Sequence, residues 1–186
     1  VEKLAKFMKD KPVSEREIGT QILKEVIDYA ESSVCRRKQI LHYFGENFNE
    51  TGCNCMCDNC KKPKQQFEAE GQLLTLLKLV ESTGEKFDDA HFLNIFLGYE
   101  TAQTIAYEHG KLPEFGAGKA DGEILWKSLL RQAVLNNFLA KDIDNYGLLK
   151  LTKIGRDYIE SPYSLKFILN EAIEAENEED EEDVKQ

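Results

Sequence analysis

The sequence predicts a mainly α-helical protein with one small β-hairpin, built as two successive helical units. Three observations carry this expectation. Apolar residues recur at helical spacing along most of the chain. A cluster of four cysteines, Cys53, Cys55, Cys57 and Cys60, interrupts that pattern. The polar stretch 63–71 then separates two regions of different character.

In the first half, a short helix is expected to end before Pro12. Ser14 and Glu17 have the spacing of a capping box, which satisfies free N–H groups at a helix start. Ile18, Ile22, Val26 and Tyr29 then line one helical face. A third helix starts near Cys35 and is expected to bury Ile40, Leu41 and Phe44, with Gly45 as its stop. Residues 1–66 therefore read as an antiparallel helical hairpin feeding a cysteine-rich loop.

In the second half, Leu73, Leu76, Leu77 and Val80 mark a helix ending near Gly84. Asp88 or Asp89 caps a second helix, with Phe92, Ile95 and Phe96 inside and Gly98 at its end. Thr101 to Glu108 forms a short third helix closed by Gly110. The tight loop Gly116–Asp121 leads to a long helix from about Gly122 to Asn137, with Leu125, Trp126, Leu129, Leu130, Ala133 and Val134 inward. Lys127 and Arg131, four apart, sit side by side on its outer face. Phe138 to Thr152 reads as a hairpin with its turn at Asp144, Asn145, Tyr146 and Gly147, since Asn and Gly suit positive φ. Helices followed by a β wing is the order of a winged helix. The expected divisions are 1–66, 67–165 for the winged helix, and 166–186 as an acidic linker or tail.

Charge must be divided before it is read. The chain of 186 residues carries a formal −10 and is 41% hydrophobic, enough for a packed core. Residues 171–186 hold nine acids and one lysine, which leaves only −2 for residues 1–170. A near-neutral body gives no general affinity for phosphate, yet it permits a local basic face. No apolar run approaches the ~20 residues of a membrane span. The amphipathic start at Val1 resembles neither a signal peptide nor an initiator and reads as the interior of a longer chain.

Five cysteines without a secretion signal favour a reduced, cytoplasmic setting and a metal site over disulfides. The spacing of Cys35, Cys53, Cys57 and Cys60 allows four thiolates to enclose one Zn2+ tetrahedrally. A closed shell leaves no position for a catalytic water, so the expected role is structural. Cys55 is excluded because ligands two residues apart strain a tetrahedron. The competing reading is a cluster of free or redox thiols. A Cys57–Cys60 pair alone is shared with thioredoxin-like sites, but their strand-to-helix context is missing here. His42 reads as an ordinary packing histidine, Trp126 and Phe92 as core, and His91 and His109 carry no signal.

The run Cys35-Arg36-Arg37-Lys38-Gln39-Ile40-Leu41-His42-Tyr43-Phe44-Gly45-Glu46, followed by Cys53-Asn54-Cys55-Met56-Cys57-Asp58-Asn59-Cys60, resembles the zinc-binding region of RecQ-family DNA helicases. Phe115-Gly116-Ala117-Gly118-Lys119, then Trp126, Leu130-Arg131-Gln132 and Leu149, Leu151 and Thr152, resemble the same family's winged-helix (RQC) domain. The resemblance covers about residues 1–165. It implies the accessory DNA-binding region of an ATP-dependent 3′–5′ helicase of recombination and repair, associated with the nucleoid. ATP and Mg2+ would belong to RecA-like motor lobes of the same chain, because no phosphate-loop motif occurs here. On this reading the 186 residues alone do not hydrolyse ATP, and no catalytic residue is assigned. Two departures stand out: Cys55 inserts into the metal cluster, and Thr101 to Ala106 lacks the arginines of some relatives.

The implied partners are duplex and forked DNA and those motor lobes, with no membrane. Lys119, Lys127 and Arg131 are expected to hold duplex phosphates near a helix N-terminus, where free N–H groups favour anions. Asp121 reads as a cap. Tyr146, at the wing tip, would stack on the terminal base pair where strands part. Arg36 and Arg37, with Lys38, would meet emerging single strand or acids on the motor lobes. Two rival readings are a zinc-containing winged-helix transcriptional regulator that dimerises on palindromic duplex, and a protein-interaction scaffold.

Overall fold

The computed structural model describes residues 13–142 and 145–171. The expected helix before Pro12, the hairpin positions Ile143 and Asp144, and the acidic stretch after Glu171 lie outside the described residues.

The chain is mainly helical, and its first half is organised around the cysteines. Helix α1 (Val13–Glu31) is followed by α2 (Arg36–Tyr43), a 3-10 turn (Glu50–Cys53) and the single-turn α3 (Asp58–Lys61). Helix α1 begins at Val13, one residue before Ser14, and the side chains of Ser14 and Glu17 are outside the described set. Its apolar stripe is not a core. Ile18, Ile22 and Val26 are 61%, 54% and 56% exposed, while Lys24, Glu25 and Asp28 meet the rest of the protein. Periodicity reveals a stripe but not what covers it. On α2, Ile40 and Phe44 are likewise exposed and Gln39 is the buried residue, its amide donating to the Val34 carbonyl. Gly45 does end that helix, at φ 81°.

The second half is a winged helix. Helices α4 (Glu70–Ser82), α5 (Asp89–Leu97), α6 (Ala102–Ala106) and α7 (Glu123–Leu135) precede the hairpin β2 (Leu139–Asp142) and β3 (Leu148–Leu151). Asp88 caps α5 by accepting from the His91 N–H at 2.9 Å, and Thr101 caps α6 in a box with Thr104. After α6, a left-handed Glu108 and the 3-10 turn His109–Lys111 replace the longer helix expected there. Leu73, Leu76, Leu77, Phe92, Ile95, Phe96, Leu129 and Ala133 form the fully buried centre.

Three further elements have no local sequence signal. Helix α8 (Lys153–Glu160) follows the wing, capped by the Thr152 hydroxyl, and buries Tyr158. Its Gly155 is required, because a Cβ would stand 2.2 Å from the Phe138 carbonyl oxygen. Strand β4 (Lys166–Ile168) pairs antiparallel with β1 (Gln66–Glu68), Phe67 opposite Phe167. Residues 166–168 were expected in the tail, yet they close the domain. The Gln132 side chain holds β4 like a neighbouring strand, donating to the Ile168 carbonyl at 2.7 Å and accepting its N–H at 2.8 Å.

Candidate metal centre and nucleic-acid interface

Local backbone geometry brings four distant thiols together. Cys35 precedes the first residue of α2, Cys53 ends the 3-10 turn, and Cys57 caps α3, which contains Cys60. Their sulfurs all lie within 4.8 Å of one another, and Cys35 and Cys57 are 3.9 Å apart. A tetrahedral ion with metal–sulfur bonds of ~2.3 Å places its ligands about 3.8 Å apart, whereas a disulfide needs about 2.05 Å. The donor set therefore fits Zn2+. Asn54 and Cys55 both adopt left-handed φ, 49° and 55°, and this turn leaves Cys55 exposed and outside the cluster.

The thiols do not share one acidity. Burial would raise Cys57, yet the N–H groups of Arg36 and Cys60 and the neighbouring thiols pull it down to about 6. The Cys57 N–H lowers Cys53. Burial, then Cys57 and Cys35, push Cys60 well up, and burial raises Cys35. Four negative sulfurs at this spacing repel one another, and a divalent cation is what allows all four to ionise.

Around the thiols, polar contacts fix the loop. Arg36 donates to the Tyr29 and Ala30 carbonyls, pairs with Asp58 at 3.3 Å and stacks over the Tyr29 ring. It ties the end of α1 to the cysteine loop. Asn59 donates to the carbonyls of Ser32 and Val34 at 2.7 and 2.8 Å. Lys38 reaches Asn136 at 2.7 Å and Glu50 at 3.5 Å. Arg37 is exposed, lying over the Phe48 ring at 5.9 Å. His42 stays outside the thiol cluster, its pKa lowered by burial.

The cations named on the winged helix occupy different surroundings. Lys119 is exposed at the loop before α7. Lys127 pairs with Glu123 at 2.7 Å on the same helix. Arg131 is turned inward, with Glu25 at 3.2 Å, Asp28 at 3.7 Å and the Gln39 amide oxygen at 3.3 Å. Tyr146 is 72% exposed at the wing tip. The Gly147 N–H donates to the Asp142 carbonyl at 2.8 Å, and the Asp142 carboxylate accepts from the Asn145 backbone and side chain.

An ionic network joins the two halves. Lys141 pairs with Glu25 at 2.6 Å and with Asp89 at 3.1 Å, and Lys24 also pairs with Asp89. Burial would raise Asp89, but Lys141 and Lys24 hold it below the usual carboxylate range. No spacing rule signals it, because Lys24 and Asp89 lie 65 residues apart and Glu25 and Lys141 lie 116 apart.

With this geometry in view, the comparisons with known proteins are specific. Residues 1–61 match the model of RecQ zinc-binding, and residues 63–175 match that of the RQC domain. The chain is similar to the ATP-dependent DNA helicase RecQ of Haemophilus influenzae, at 29% identity over 75% of this chain and 22% of that protein. It is 28% identical to the Pasteurella multocida protein of the same name, over 87% of this chain and 26% of the relative. The ATP-dependent DNA helicase Q-like 4B of Arabidopsis thaliana is 31% identical over 68% of this chain and 11% of its own length. The chain thus spans about a quarter of the bacterial relatives it matches. The cysteine geometry, the winged helix and both family matches agree: the chain belongs to the RecQ helicase family and holds its zinc-binding and RQC regions.

Proposed function

We propose that the chain is the accessory DNA-binding region of a RecQ-type ATP-dependent 3′–5′ helicase of recombination and repair, gripping duplex and helping to part its strands. The observation that carries this reading is Tyr146, an aromatic ring 72% exposed on a backbone with φ 57°. A non-glycine residue at positive φ costs energy that the turn must hold in place, and such strain gathers at functional positions. An open ring at a wing tip is suited to stack on the last base pair of a fork.

Lys119 and Arg37, both exposed, are the cations placed to meet phosphate first. Lys127 and Arg131 reach it only by exchanging their carboxylate partners. Phosphate contacts position the protein without reading sequence, so weak base preference follows. Cys35, Cys53, Cys57 and Cys60 would hold a structural Zn2+, which supplies folding energy by cross-linking the loop to α2. The exposed stripe Ile18, Ile22 and Val26 supports a docked neighbour, and in this reading RecA-like lobes that bind ATP and Mg2+ cover it.

Fluorescence anisotropy on forked, blunt and single-stranded DNA at several salt concentrations tests the reading. Forked DNA should bind tightest, with the logarithm of the affinity falling linearly as log salt rises. Equal or tighter binding to blunt palindromic duplex by a dimer would instead identify a regulator. Absence of salt-dependent binding would identify a protein scaffold.

A further inference from the structure

Trp126 is the chain's one tryptophan. It lies on Phe96 with ring centroids 3.7 Å apart and planes 11° from parallel, and it is 3% exposed. Phenylalanine would supply that stacking equally well. What tryptophan adds is a donor, and its indole N–H reaches the Gly118 carbonyl at 3.1 Å. Gly118 must lack a side chain, since a Cβ there would stand 2.2 Å from the indole nitrogen.

The loop held in this way lies on the C-terminal end of α5. The Gly116 N–H donates to the Ile95 carbonyl at 2.8 Å, and the Gly118 N–H to the Phe96 carbonyl at 2.9 Å. Lys119 crosses Gly98 so closely that a Cβ on that glycine would lie 2.8 Å from the lysine Cε. Gly98 and Gly118 are therefore needed for close approach within the protein, and Gly116 for its left-handed backbone at φ 76°, whatever the loop binds. Their packing gives Lys119 a defined path across Gly98, and the residue is exposed.

We infer that Trp126 is a positioning residue for phosphate binding: its indole, wedged beside Gly118, fixes the loop that presents Lys119. The inference rests on the proposed contact between Lys119 and duplex phosphate. Trp126→Phe keeps the stack on Phe96 but removes the donor and opens space beside Gly118. The Gly118 carbonyl retains the N–H groups of Asp121 and Gly122 at 3.2 and 3.3 Å, so the substitution does not strand a buried acceptor.

The test is a double-mutant cycle on the zinc-loaded chain, read as duplex affinity across salt. Lys119→Ala should weaken binding by roughly fivefold and reduce the salt slope by about 0.9. Trp126→Phe should lower both in the same direction, and the double variant should bind no more weakly than Lys119→Ala alone. Leu129→Ala, a core substitution on the same helix, serves as the control: it should lower the melting temperature and leave affinity and slope unchanged. Wild-type binding by Trp126→Phe, or additive losses in the double variant, would overturn the inference. Wild-type binding by Lys119→Ala would instead overturn the Lys119 contact beneath it.

Discussion

Arg131 on α7 reaches Glu25 on α1 at 3.2 Å, joining helices from the two halves of the chain. The contact belongs to an alternating set in which Lys24, Arg131 and Lys141 face Glu25, Asp28 and Asp89. Side-chain exposures run from 12% to 34%, so the pairs are partly shielded from water and salt. The apolar content of this seam is small, with Val34, Leu135 and Ile168 as its buried cluster. An interface of this composition depends on its charges.

Among the described residues, removing Arg131 leaves Asp28 without an ion-pair partner and Glu25 with Lys141 alone. Arg131→Ala should therefore lower stability by about 1–3 kcal/mol, between the values for exposed and fully buried pairs. That corresponds to a melting temperature lower by about 2–4 °C per kcal/mol for a chain of this size. In a cycle with Glu25→Gln, the two losses should not add. Strict additivity in thermal melts would show that the contact contributes nothing specific.

The sequence revealed the elements better than the faces they bury. Helices α4, α5 and α7 were legible because each hides a full apolar stripe in one core. Helix α1 was legible as a helix, but its stripe points outward and its charged face docks. Pattern alone cannot make that distinction, since a helix is amphipathic whether its partner is apolar or ionic. Helix α8 escaped because Gly155 weakens the helical signal and Ile154 is exposed. Strand β4 is three residues long and depends on Gln132 from a distant helix, which no local rule detects. The cysteine spacing was readable because ligand geometry constrains sequence directly. Arg36 and Arg131 read as open cations only because their carboxylate partners, Asp58 and Glu25, lie 22 and 106 residues away.

The thiol geometry separates Cys55 from its neighbours. Cys55→Ser should retain one zinc per chain and the wild-type melting temperature, because the residue is exposed and outside the cluster. Cys57→Ser should lose the metal and unfold residues around α2 and α3, as should chelation of the wild type. Metal content by elemental analysis, together with circular dichroism, reads both outcomes. Zinc loss from Cys55→Ser would transfer a ligand role to that residue.

His91 and His109 form a buried pair, Nε2 to Nδ1 at 2.8 Å, with His91 stacked on Phe87. One ring donates and the other accepts, so the bond between them is kept when both are neutral. Burial, and then the His109 charge, lower the pKa of His91 despite the pull of Asp88 and Gln103; burial lowers His109. A histidine with a depressed folded pKa binds more protons when unfolded. Its stabilising contribution is thus complete above the unfolded value of ~6.5 and is lost as pH falls below it. Replacing both residues with Phe should flatten the fall in melting temperature between about pH 6.5 and 5. Because zinc and the carboxylates also respond to acid, the difference between wild-type and variant curves is the quantity to read. A difference that does not change with pH would remove the pair as a source of acid sensitivity.

Tyr146 offers the sharpest test of strand parting, provided the turn is kept intact. Alanine at φ 57° would add backbone strain to the loss of the ring, whereas asparagine tolerates that region. Tyr146→Asn therefore isolates the ring. If the ring stacks on a terminal base pair at ~1–3 kcal/mol, forked DNA should bind at least about fivefold more weakly to this variant. Blunt-duplex affinity along the Lys119 face should hold, and Tyr146→Phe should behave as wild type because stacking needs no hydroxyl. Equal losses on forked and blunt DNA would make Tyr146 a general contact, and no loss on either would leave the wing without a part in opening the fork.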